Sequence, residues 1–300
     1  MKNIPVIHVT GNSLAETYES ALIKLFAEGT RFRTQYDKPG DPLSIDCTMN
    51  LTILDPESDP MIHMAFPGGI DELKEYVMEL KGEKDHWVKN MNDPSDTRWE
   101  YTYHGRLVNY GSWKEKSDES GKSVIKGTGI DQVQYIIDKL SGQPYTRQAQ
   151  MITWMPHMDT SCYDPPCLQS LWYRILEDED GTQWLNCNVR FRSNDAWNAS
   201  FMNMFGFIQF NREIIADELE KRTGRKVKSG RLNWQADSYH IYGKDISQAK
   251  EMLFDRIQEM PFTNRVLNFG DPFIRAMYTE AGEKIINKIK EFDRQHSSYS

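Results

Sequence analysis

Apolar residues recur at helical spacing in several stretches of the chain. Ser13 with Glu16 three residues later has the form of a capping box, and an apolar stripe with a period of three to four residues runs through 14–25. This pattern predicts a helix that begins near residue 14. Similar stripes predict further helices at 70–82, 129–141, 198–222, 246–258 and 280–293.

Short apolar runs rich in β-branched and aromatic residues predict strands between these helices. The segment EDEDGTQ separates two of the runs, and its Asp-Gly pair suits a hairpin turn. The stretch 83–128 is polar and rich in Gly, Asp and Ser, so we expect mostly loop there, with room for short helices. With no repeat and no linker-like segment, residues 1–300 are expected to form one α+β domain. The predicted strands are 43–54, 60–66, 148–155, 168–177, 182–192 and 231–242.

Composition and charge restrict the class of partner. The chain has 300 residues, of which 39% are hydrophobic, and a formal net charge of −8. This charge argues against a polynucleotide ligand, which needs clustered Lys and Arg, but a mononucleotide needs only a few arginines. No apolar run approaches the roughly 20 residues of a membrane span, and the N-terminal segment lacks a secretory signal. We therefore expect a soluble, cytoplasmic protein without a membrane partner.

The four cysteines are Cys47, Cys162, Cys167 and Cys187. They form no CxxC pair and there is no His cluster at metal spacing, so no metal site is expected. A free cysteine is most often a small buried hydrophobe, and that interpretation is kept for three of them. Cys167 differs because two prolines fix the backbone directly before it, where a strand begins. A thiol held there can face a cleft.

Charged residues on either side of Cys167 strengthen this interpretation. Arg147 lies twenty residues before it, and Arg192 and Ser193 follow it at the end of a predicted strand. An adjacent Arg and Ser suit a phosphate, because the guanidinium gives a bidentate contact and the hydroxyl a further donor. Nearby cations are also expected to lower the pKa of the thiol. Each feature alone is weak, since a strand arginine is commonly a solvated or ion-paired residue.

Four motifs in order give the sequence its resemblance to a known family. They are PPC at 165–167, RSND at 192–195, Asn203 eight residues after Asp195, and DSYHIY at 237–242. With the interval from Arg147 to Cys167, they resemble the thymidylate synthase superfamily, which includes the phage deoxynucleotide hydroxymethylases, over about residues 31–245. The resemblance implies a twisted, mostly antiparallel or mixed sheet covered by helices, and a homodimer formed through the sheet.

The resemblance also implies the chemistry. Cys167 matches the nucleophile that adds to carbon 6 of a pyrimidine nucleoside monophosphate, with 5,10-methylenetetrahydrofolate as one-carbon donor. Glu79 matches a glutamate that moves protons through ordered water, although a surface helix carboxylate is the alternative. Tyr103 matches the tyrosine that helps to remove the carbon 5 proton. Asp195 and Trp99 match folate-contacting positions.

Nucleotide recognition is implied by a second group of residues. Asn203 matches the position that reads the pyrimidine edge; deoxycytidylate hydroxymethylases carry Asp there, so Asn203 favours dUMP. A capping or exposed Asn is the alternative. His240 and Tyr242 match the pair that binds the sugar 3′-hydroxyl, and alternate strand residues face the same way. A structural role is the alternative for the histidine.

The phosphate ligands would be Arg192, Ser193 and Arg33, for which Arg31 is an alternative. Arg147 matches an arginine that reaches the phosphate in the neighbouring subunit's site.

The product stays open between two reactions. Leu168 follows the nucleophile where a His is common, the chain ends in QHSSYS without an apolar tail, and Trp99 stands where a pair of tryptophans is usual. The absence of these family features favours access of water to the delivered carbon, and hence its hydroxylation. The alternatives are therefore synthesis of dTMP and 5-hydroxymethylation of dUMP, dCMP or, less in keeping with the pattern, CMP. A nucleotide-binding pseudoenzyme is the non-catalytic alternative.

Overall fold

One mixed β-sheet organises the chain, with helices packed against it. The computed structural model describes residues 3–84, 101–115, 124–257 and 259–296. The strands are β1 (Val6–Gly11), β2 (Thr30–Phe32), β3 (Ser44–Ile53), β4 (Ile62–His63), β5 (Trp113–Glu115), β6 (Val124–Lys126), β7 (Gln150–Ile152), β8 (Leu168–Glu177), β9 (Gln183–Phe191), β10 (Asn194–Asp195), β11 (Val227–Ile241) and β12 (Val266–Leu267). The helices are α1 (Leu14–Glu28), α2 (Ile70–Lys81), α3 (Tyr103–Val108), α4 (Gln132–Gly142), α5 (Pro156–Asp159), α6 (Ser200–Phe210), α7 (Asp217–Thr223), α8 (Ile246–Lys250) and α9 (Pro272–His296).

The sheet has the strand order β1-β3-β11-β9-β8-β7, with β2 paired to β3 and β10 to β11. Strand β1 runs parallel to β3, and β11 runs parallel to β9 and β10; the other pairs are antiparallel. The mixed sheet covered by helices confirms the predicted fold class. Two further pairs, β4 with β12 and β5 with β6, lie outside this sheet.

The alternation of residues along the central strands determines which face is buried. On β9, Leu185, Cys187 and Val189 are buried, whereas Asn186 and Asn188 between them are half-buried. The ring of Phe191 stacks on that of Trp234 from β11 with 4.6 Å between centroids. Burying a side chain of this size contributes about 1.5–3 kcal/mol, so the alternation fixes which face the helices cover.

Helix α6 lies in the core and supplies one wall of the site. All but one of its residues are buried, and it continues through a π-helical segment, Asn211–Ala216, into α7. The continuous helical stretch ends at Gly224, whose φ of 67° is a left-handed cap that glycine adopts at no steric cost. This confirms the prediction of a long helix at 198–222.

One expectation about local structure was wrong, and one long strand was missed. The predicted strand 60–66 is reduced to Ile62–His63, because prolines bound this segment and its partner β12 is equally short. Strand β1 was not predicted; it alternates exposed and buried residues and pairs with β3, far along the chain. Within the polar stretch 83–128, the described parts contain α3 and the β5–β6 pair.

Two β-bulges lie next to residues of the site. On β8 the register passes from Leu168 opposite Phe191 to Ser170 opposite Arg190, which leaves Gln169 as one extra residue, two positions after Cys167. On β11 the pairing with β3 passes from Ala236 to Tyr239 and again leaves one extra residue, before His240. A bulge bends a strand and re-aims its side chains, so both act on the orientation of pocket residues.

Candidate active site

A pocket of about 470 Å³ lies where the ends of β8, β9 and β11 meet helices α2, α3 and α6. The structure brings nine of the predicted site residues together on its wall: Cys167, Glu79, Tyr103, Arg192, Ser193, Asn203, Asp195, His240 and Tyr242.

Cys167 is half-buried, directly before the first residue of β8. Its carbonyl oxygen accepts a hydrogen bond of 2.8 Å from the backbone N–H of Arg192, which fixes the thiol residue to the end of β9. Burial raises the pKa of the Cys167 thiol, and the nearby Arg192 guanidinium only partly opposes that rise. Arg192 thus acts in the expected direction, but desolvation of the thiolate outweighs its attraction, so the net shift of the thiol pKa is upward.

The guanidinium of Arg192 holds the loop that precedes the thiol. Its Nε donates to the carbonyl of Pro166 at 3.1 Å and its Nη2 to that of Pro165 at 2.5 Å. Asp164 lies 3.6 Å from the same guanidinium. One arginine thus orients the cysteine loop and brings positive charge into the pocket beside Ser193.

Tyr103 begins helix α3, where the side chain of Thr102 caps the helix by accepting from the N–H of Gly105. Its hydroxyl oxygen accepts a hydrogen bond of 3.2 Å from the N–H of Leu168, next to the nucleophile. Burial raises the pKa of Tyr103, and the proximity of Cys167 adds to the rise. The phenol therefore keeps its proton at neutral pH and is able to donate it in a hydrogen bond.

A buried ion pair anchors α3 to the segment before Cys167. The guanidinium of Arg106 is bidentate to Asp159, at 2.6 and 3.1 Å, and also donates to the carbonyl of Thr153. Asp159 further accepts from the N–H of Met155 at 2.6 Å. The two side chains are 9% and 0% exposed, so the pair is shielded from water.

Glu79 lies on α2 and shares the pocket with a lysine. Burial raises the pKa of Glu79, and Lys84, whose ammonium lies 2.9 Å from Oε1, opposes the rise. Lys84 also contacts the carboxylate of Glu75. The glutamate is thus a partly desolvated carboxylate with a cationic partner, which suits a group that takes up and releases a proton.

Asn203 faces the pocket from α6. Its Oδ1 accepts a hydrogen bond of 2.9 Å from Nδ2 of Asn194, and Oδ1 of Asn194 accepts one of 3.1 Å from the indole N–H of Trp234. All three residues are buried. The alternative of an exposed or capping Asn is therefore excluded for this residue.

His240 is 5% exposed, and its Nε2 has no hydrogen-bond partner among the described residues. On the other side of the ring, Nδ1 lies 3.3 Å from the hydroxyl of Ser238, which donates at 2.9 Å to Asp46. The ring of Tyr242 packs edge-to-face against the imidazole, with 4.6 Å between centroids. A buried polar atom without a partner at a pocket wall is available to a ligand.

Asp195 is half-buried, and its carboxylate accepts hydrogen bonds from its own chain. Its Oδ1 accepts from the N–H groups of Trp197 and Asn198, both at 2.9 Å, and thereby orders the turn into α6. Its Oδ2 accepts from the amide of Asn198. A carboxylate has about four acceptor positions, so one remains for a ligand.

Three predicted residues are not placed on the pocket wall. Arg33 is exposed and donates to the carbonyl of Asp41 at 2.7 Å. Arg147 is exposed before β7, where its carbonyl accepts from the indole of Trp172. Trp99 lies outside the described residues.

The pocket also contains residues that sequence reasoning missed. Tyr76 stands one helical turn before Glu79 on α2, and this spacing could have indicated a shared face. Its hydroxyl is buried, and an interaction with the Asn203 side chain opposes the rise in the Tyr76 pKa that burial causes. Nothing in the sequence around Lys84 indicated that its side chain would reach the pocket. The other unpredicted side chains on the wall include Tyr36, Tyr101, Tyr163, Asp164 and Met202.

Two other features are absent from the described residues, a metal-binding cluster and a membrane-spanning helix. Among residues 3–84, 101–115, 124–257 and 259–296, no His, Cys, Asp and Glu side chains are grouped in a way that could hold a metal ion. Over the same residues, no helix has both the length and the apolar composition needed to cross a membrane.

Comparison with known proteins gives a consistent family. The model of the thymidylate synthase family matches residues 71–272. A protein of Methanosarcina barkeri named "Putative thymidylate synthase" is 29% identical over 210 residues, which cover 70% of this chain and 78% of the relative. Proteins with the same name from Methanosarcina acetivorans and Methanocaldococcus jannaschii are 31% and 33% identical, over 58% and 54% of this chain. The matches span 63% and 64% of those two relatives, slightly less than two thirds of their length.

Proposed function

Because the chain belongs to the thymidylate synthase family of one-carbon transferases, we propose that it converts dUMP to dTMP through a covalent adduct of Cys167. The observation that carries this proposal is the meeting of Cys167, Asn203 and His240 in one pocket, although they lie on three different elements. These side chains provide, in that order, a nucleophile, a pyrimidine reader and an acceptor for a sugar hydroxyl.

In the proposed reaction, the thiolate of Cys167 adds to carbon 6 of the uracil ring. The electron pair of the carbon 5–carbon 6 double bond moves toward the 4-oxo group, and carbon 5 becomes nucleophilic. Methylenetetrahydrofolate would supply the one-carbon electrophile as cosubstrate, with Asp195 and Trp99 as candidate contacts. After loss of the carbon 5 proton, the resulting tetrahydrofolate would also supply the hydride that makes the delivered carbon a methyl group, and dihydrofolate and the Cys167 thiolate would leave. Because the resting thiol has a raised pKa, formation of the thiolate is a step that the site must assist.

Proton transfers are assigned to Glu79 and Tyr103. Glu79 would exchange protons with the 4-oxo group through water, a role that its raised pKa and its lysine partner support. Tyr103, whose hydroxyl lies beside the backbone of the nucleophile, would assist in removing the carbon 5 proton. Both groups line the same pocket as the thiol.

Binding of the nucleotide is assigned to the polar side chains around the thiol. Asn203 would pair with the 4-oxo group and N3–H of uracil, and His240 and Tyr242 would bind the 3′-hydroxyl. Arg192 and Ser193 would hold the phosphate, with Arg33 reaching the pocket only if the loop around it moves.

We further propose a homodimer that shares its two sites. The sheet face opposite the helices carries half-buried polar side chains, among them Asn188, Asn233 and Gln235, in a pattern that suits pairing with a second copy. Arg147, exposed at one end of the sheet, would then reach the phosphate site of the partner subunit.

Release of tritium from dUMP labelled at carbon 5 tests the enzyme hypothesis. Folate-dependent release is expected from the wild type and none from Cys167→Ser. Cys162→Ser is the matched control, since that thiol is also half-buried but does not line the pocket, and it should retain release. No release from the wild type would leave a nucleotide-binding protein without this activity.

The second candidate function is 5-hydroxymethylation of dUMP or dCMP. It is favoured by the charged pair of Lys84 and Glu79 on the pocket wall, which would hold water near the delivered carbon. Incubation with dUMP, dCMP and methylenetetrahydrofolate separates the two functions. Dihydrofolate absorbance with a methyl mass shift indicates the synthase, whereas a hydroxymethyl mass without dihydrofolate indicates the hydroxymethylase.

A further inference from the structure

A carboxamide such as that of Asn203 is able to read either pyrimidine. With its amino group toward position 4 and its oxygen toward position 3, it pairs with the 4-oxo group and N3–H of uracil. After a half-turn of the amide, the oxygen accepts from the 4-amino group of cytosine and the amino group donates to its N3. The residue type therefore does not select the base by itself, and the orientation of the amide decides.

The orientation of Asn203 is set by two hydrogen bonds that begin at Trp234. An indole N–H is a donor only, so the side-chain atom of Asn194 that lies 3.1 Å from it must be the oxygen. The amino group of Asn194 then points to Asn203 and donates to its Oδ1 at 2.9 Å. The exposed fractions of Trp234 and Asn194 are 0% and 4%, so water does not compete for these bonds.

Turning either amide would leave donors facing each other. If Asn203 turned, its amino group would meet the amino group of Asn194; if both turned, the amino group of Asn194 would meet the indole N–H. A buried donor without an acceptor carries its full desolvation cost, so both turned states are disfavoured. In the observed state, one lone pair of Oδ1 of Asn203 remains for a ligand. Its amino group interacts with the hydroxyl of Tyr76 and has a second N–H left for a ligand.

We propose that Trp234 and Asn194 are positioning residues that hold Asn203 in the orientation for a 4-oxo, 3-N–H pyrimidine and so exclude cytosine nucleotides. This inference rests on the proposed function, which supplies dUMP as the substrate. It assigns the choice of base to Asn194 on the pocket wall and to Trp234 behind it. Trp234 does not line the pocket; its indole N–H acts through the amide of Asn194, and its ring packs on Phe191.

Binding of dUMP and dCMP, measured by equilibrium dialysis without folate, tests the proposal. The wild type should bind dUMP more tightly by about a hundredfold or more, since a site that misses its hydrogen bonds rejects an analogue strongly. In Trp234→Phe and Asn194→Ala this ratio should fall by about tenfold or more, mainly because dCMP binds better. Phenylalanine at 234 keeps a ring to pack on Phe191.

Trp197→Phe is the matched control. Trp197 is also buried, but its indole N–H has no hydrogen-bond partner within the described part of the chain. The same chemical change should therefore leave the dUMP to dCMP ratio at the wild-type value. Asn194→Asp provides a test that does not shorten the side chain: a carboxylate accepts from both Trp234 and the amino group of Asn203, so the ratio should shift toward dCMP.

The outcomes separate this inference from the proposed function. Tight binding of dUMP with an unchanged ratio in Trp234→Phe, Asn194→Ala and Asn194→Asp overturns the positioning role alone. Wild-type protein that prefers dCMP, or binds neither nucleotide, overturns dUMP as the substrate and with it the exclusion of cytosine. A dUMP to dCMP affinity ratio that falls in the three variants and stays at the wild-type value in Trp197→Phe supports the proposal.

Discussion

The ammonium of Lys84 donates a hydrogen bond of 2.9 Å to the carboxylate of Glu79 inside the pocket that holds Cys167. Burial raises the pKa of Glu79, and this lysine opposes the rise. In Lys84→Met the opposing charge is lost, so the pKa of Glu79 should rise further. If the ionised carboxylate is needed, the rising limb of the profile of kcat against pH should move to higher pH.

Lys81→Met is the control for that measurement. Lys81 is on α2, like Glu79, but it pairs with Glu83 and Glu213 and does not line the pocket. Its profile should coincide with that of the wild type. Coincident profiles for Lys84→Met and the wild type would contradict a role of the lysine in the ionisation of Glu79.

Reaction of the thiols with iodoacetamide should single out Cys167 once Cys162 is replaced by Ser. Burial raises the pKa of Cys47 and of Cys187 to about 12, so these two thiols should stay unmodified near neutral pH. The pKa of Cys167 is raised by burial, and Arg192 opposes the rise. The alkylation rate should therefore increase with pH up to and beyond the ordinary thiol range.

Arg192→Gln removes the cation and should raise the thiol pKa further. Because the thiolate is the reactive form, alkylation at a fixed pH below that pKa should slow by about threefold or more. Arg190→Gln is the control, since Arg190 lies two residues earlier, within β9, does not line the pocket and pairs with Asp237. Equal rates in the two variants would show that Arg192 does not stabilise the thiolate.

The hydroxyl of Ser238 should fix the tautomer of His240. Its single proton is donated to Asp46, so toward Nδ1 it acts as an acceptor, and Nδ1 carries the proton. Nε2 is then left to accept a hydrogen bond from a sugar hydroxyl. Ser238→Ala should raise KM for dUMP by about tenfold with a smaller change in kcat.

A nucleotide without the 3′-hydroxyl checks the origin of that effect. For 2′,3′-dideoxyuridine monophosphate, Ser238→Ala and the wild type should have the same affinity. Thr52→Val, which removes a hydroxyl bonded to Asn233 instead, should leave KM for dUMP at the wild-type value. An equal loss of affinity for both nucleotides would indicate general damage to the pocket.

Mixing two inactive variants tests whether sites are shared between subunits. Arg147→Ala and Cys167→Ser should each have little activity alone. In each mixed dimer, one of the two sites combines the intact cysteine of its own subunit with the intact arginine of the partner. Random reassembly makes about half of the dimers mixed, so about a quarter of all sites should be active. No recovery, with mixed dimers verified by mass spectrometry, would argue against an arginine supplied across the interface.

The buried pair of Arg106 and Asp159 should dominate the stability of the segment before Cys167. Asp159→Ala leaves the guanidinium buried without its partner, which should cost about 3–5 kcal/mol in the free energy of unfolding. Urea denaturation measures this cost. Glu177→Ala breaks the exposed pair with Arg225 and should cost less than about 1 kcal/mol. Equal costs would mean that the buried pair is not shielded from water.

Features with a local physical cause could be predicted from the sequence. The capping box at Ser13 and the apolar stripe after it predicted α1, whose N-cap serine accepts from the N–H of Glu16. The family resemblance carried by the motifs around Cys167 also predicted a shared site, and nine of the residues that it implied line one pocket.

Features that depend on burial or on distant pairing were missed. The sign of the shift in the thiol pKa depends on how much protein covers Cys167, which local sequence does not record. Strand β1 is specified by its pairing with β3 rather than by its own short pattern. Lys84 lies at the start of a polar stretch, and only the folded α2 brings its ammonium to Glu79.

The extra residue that β11 carries opposite β3 has a consequence for how the site could change over evolution. Side chains alternate along a strand, so a single inserted or deleted residue exchanges the two faces for everything that follows. Removing the bulge would turn His240 away from the pocket and present its neighbours instead, while nearly every residue type stayed the same. In this protein, the length of the chain between Ala236 and Tyr239 therefore determines the pocket wall as much as the identity of the histidine does.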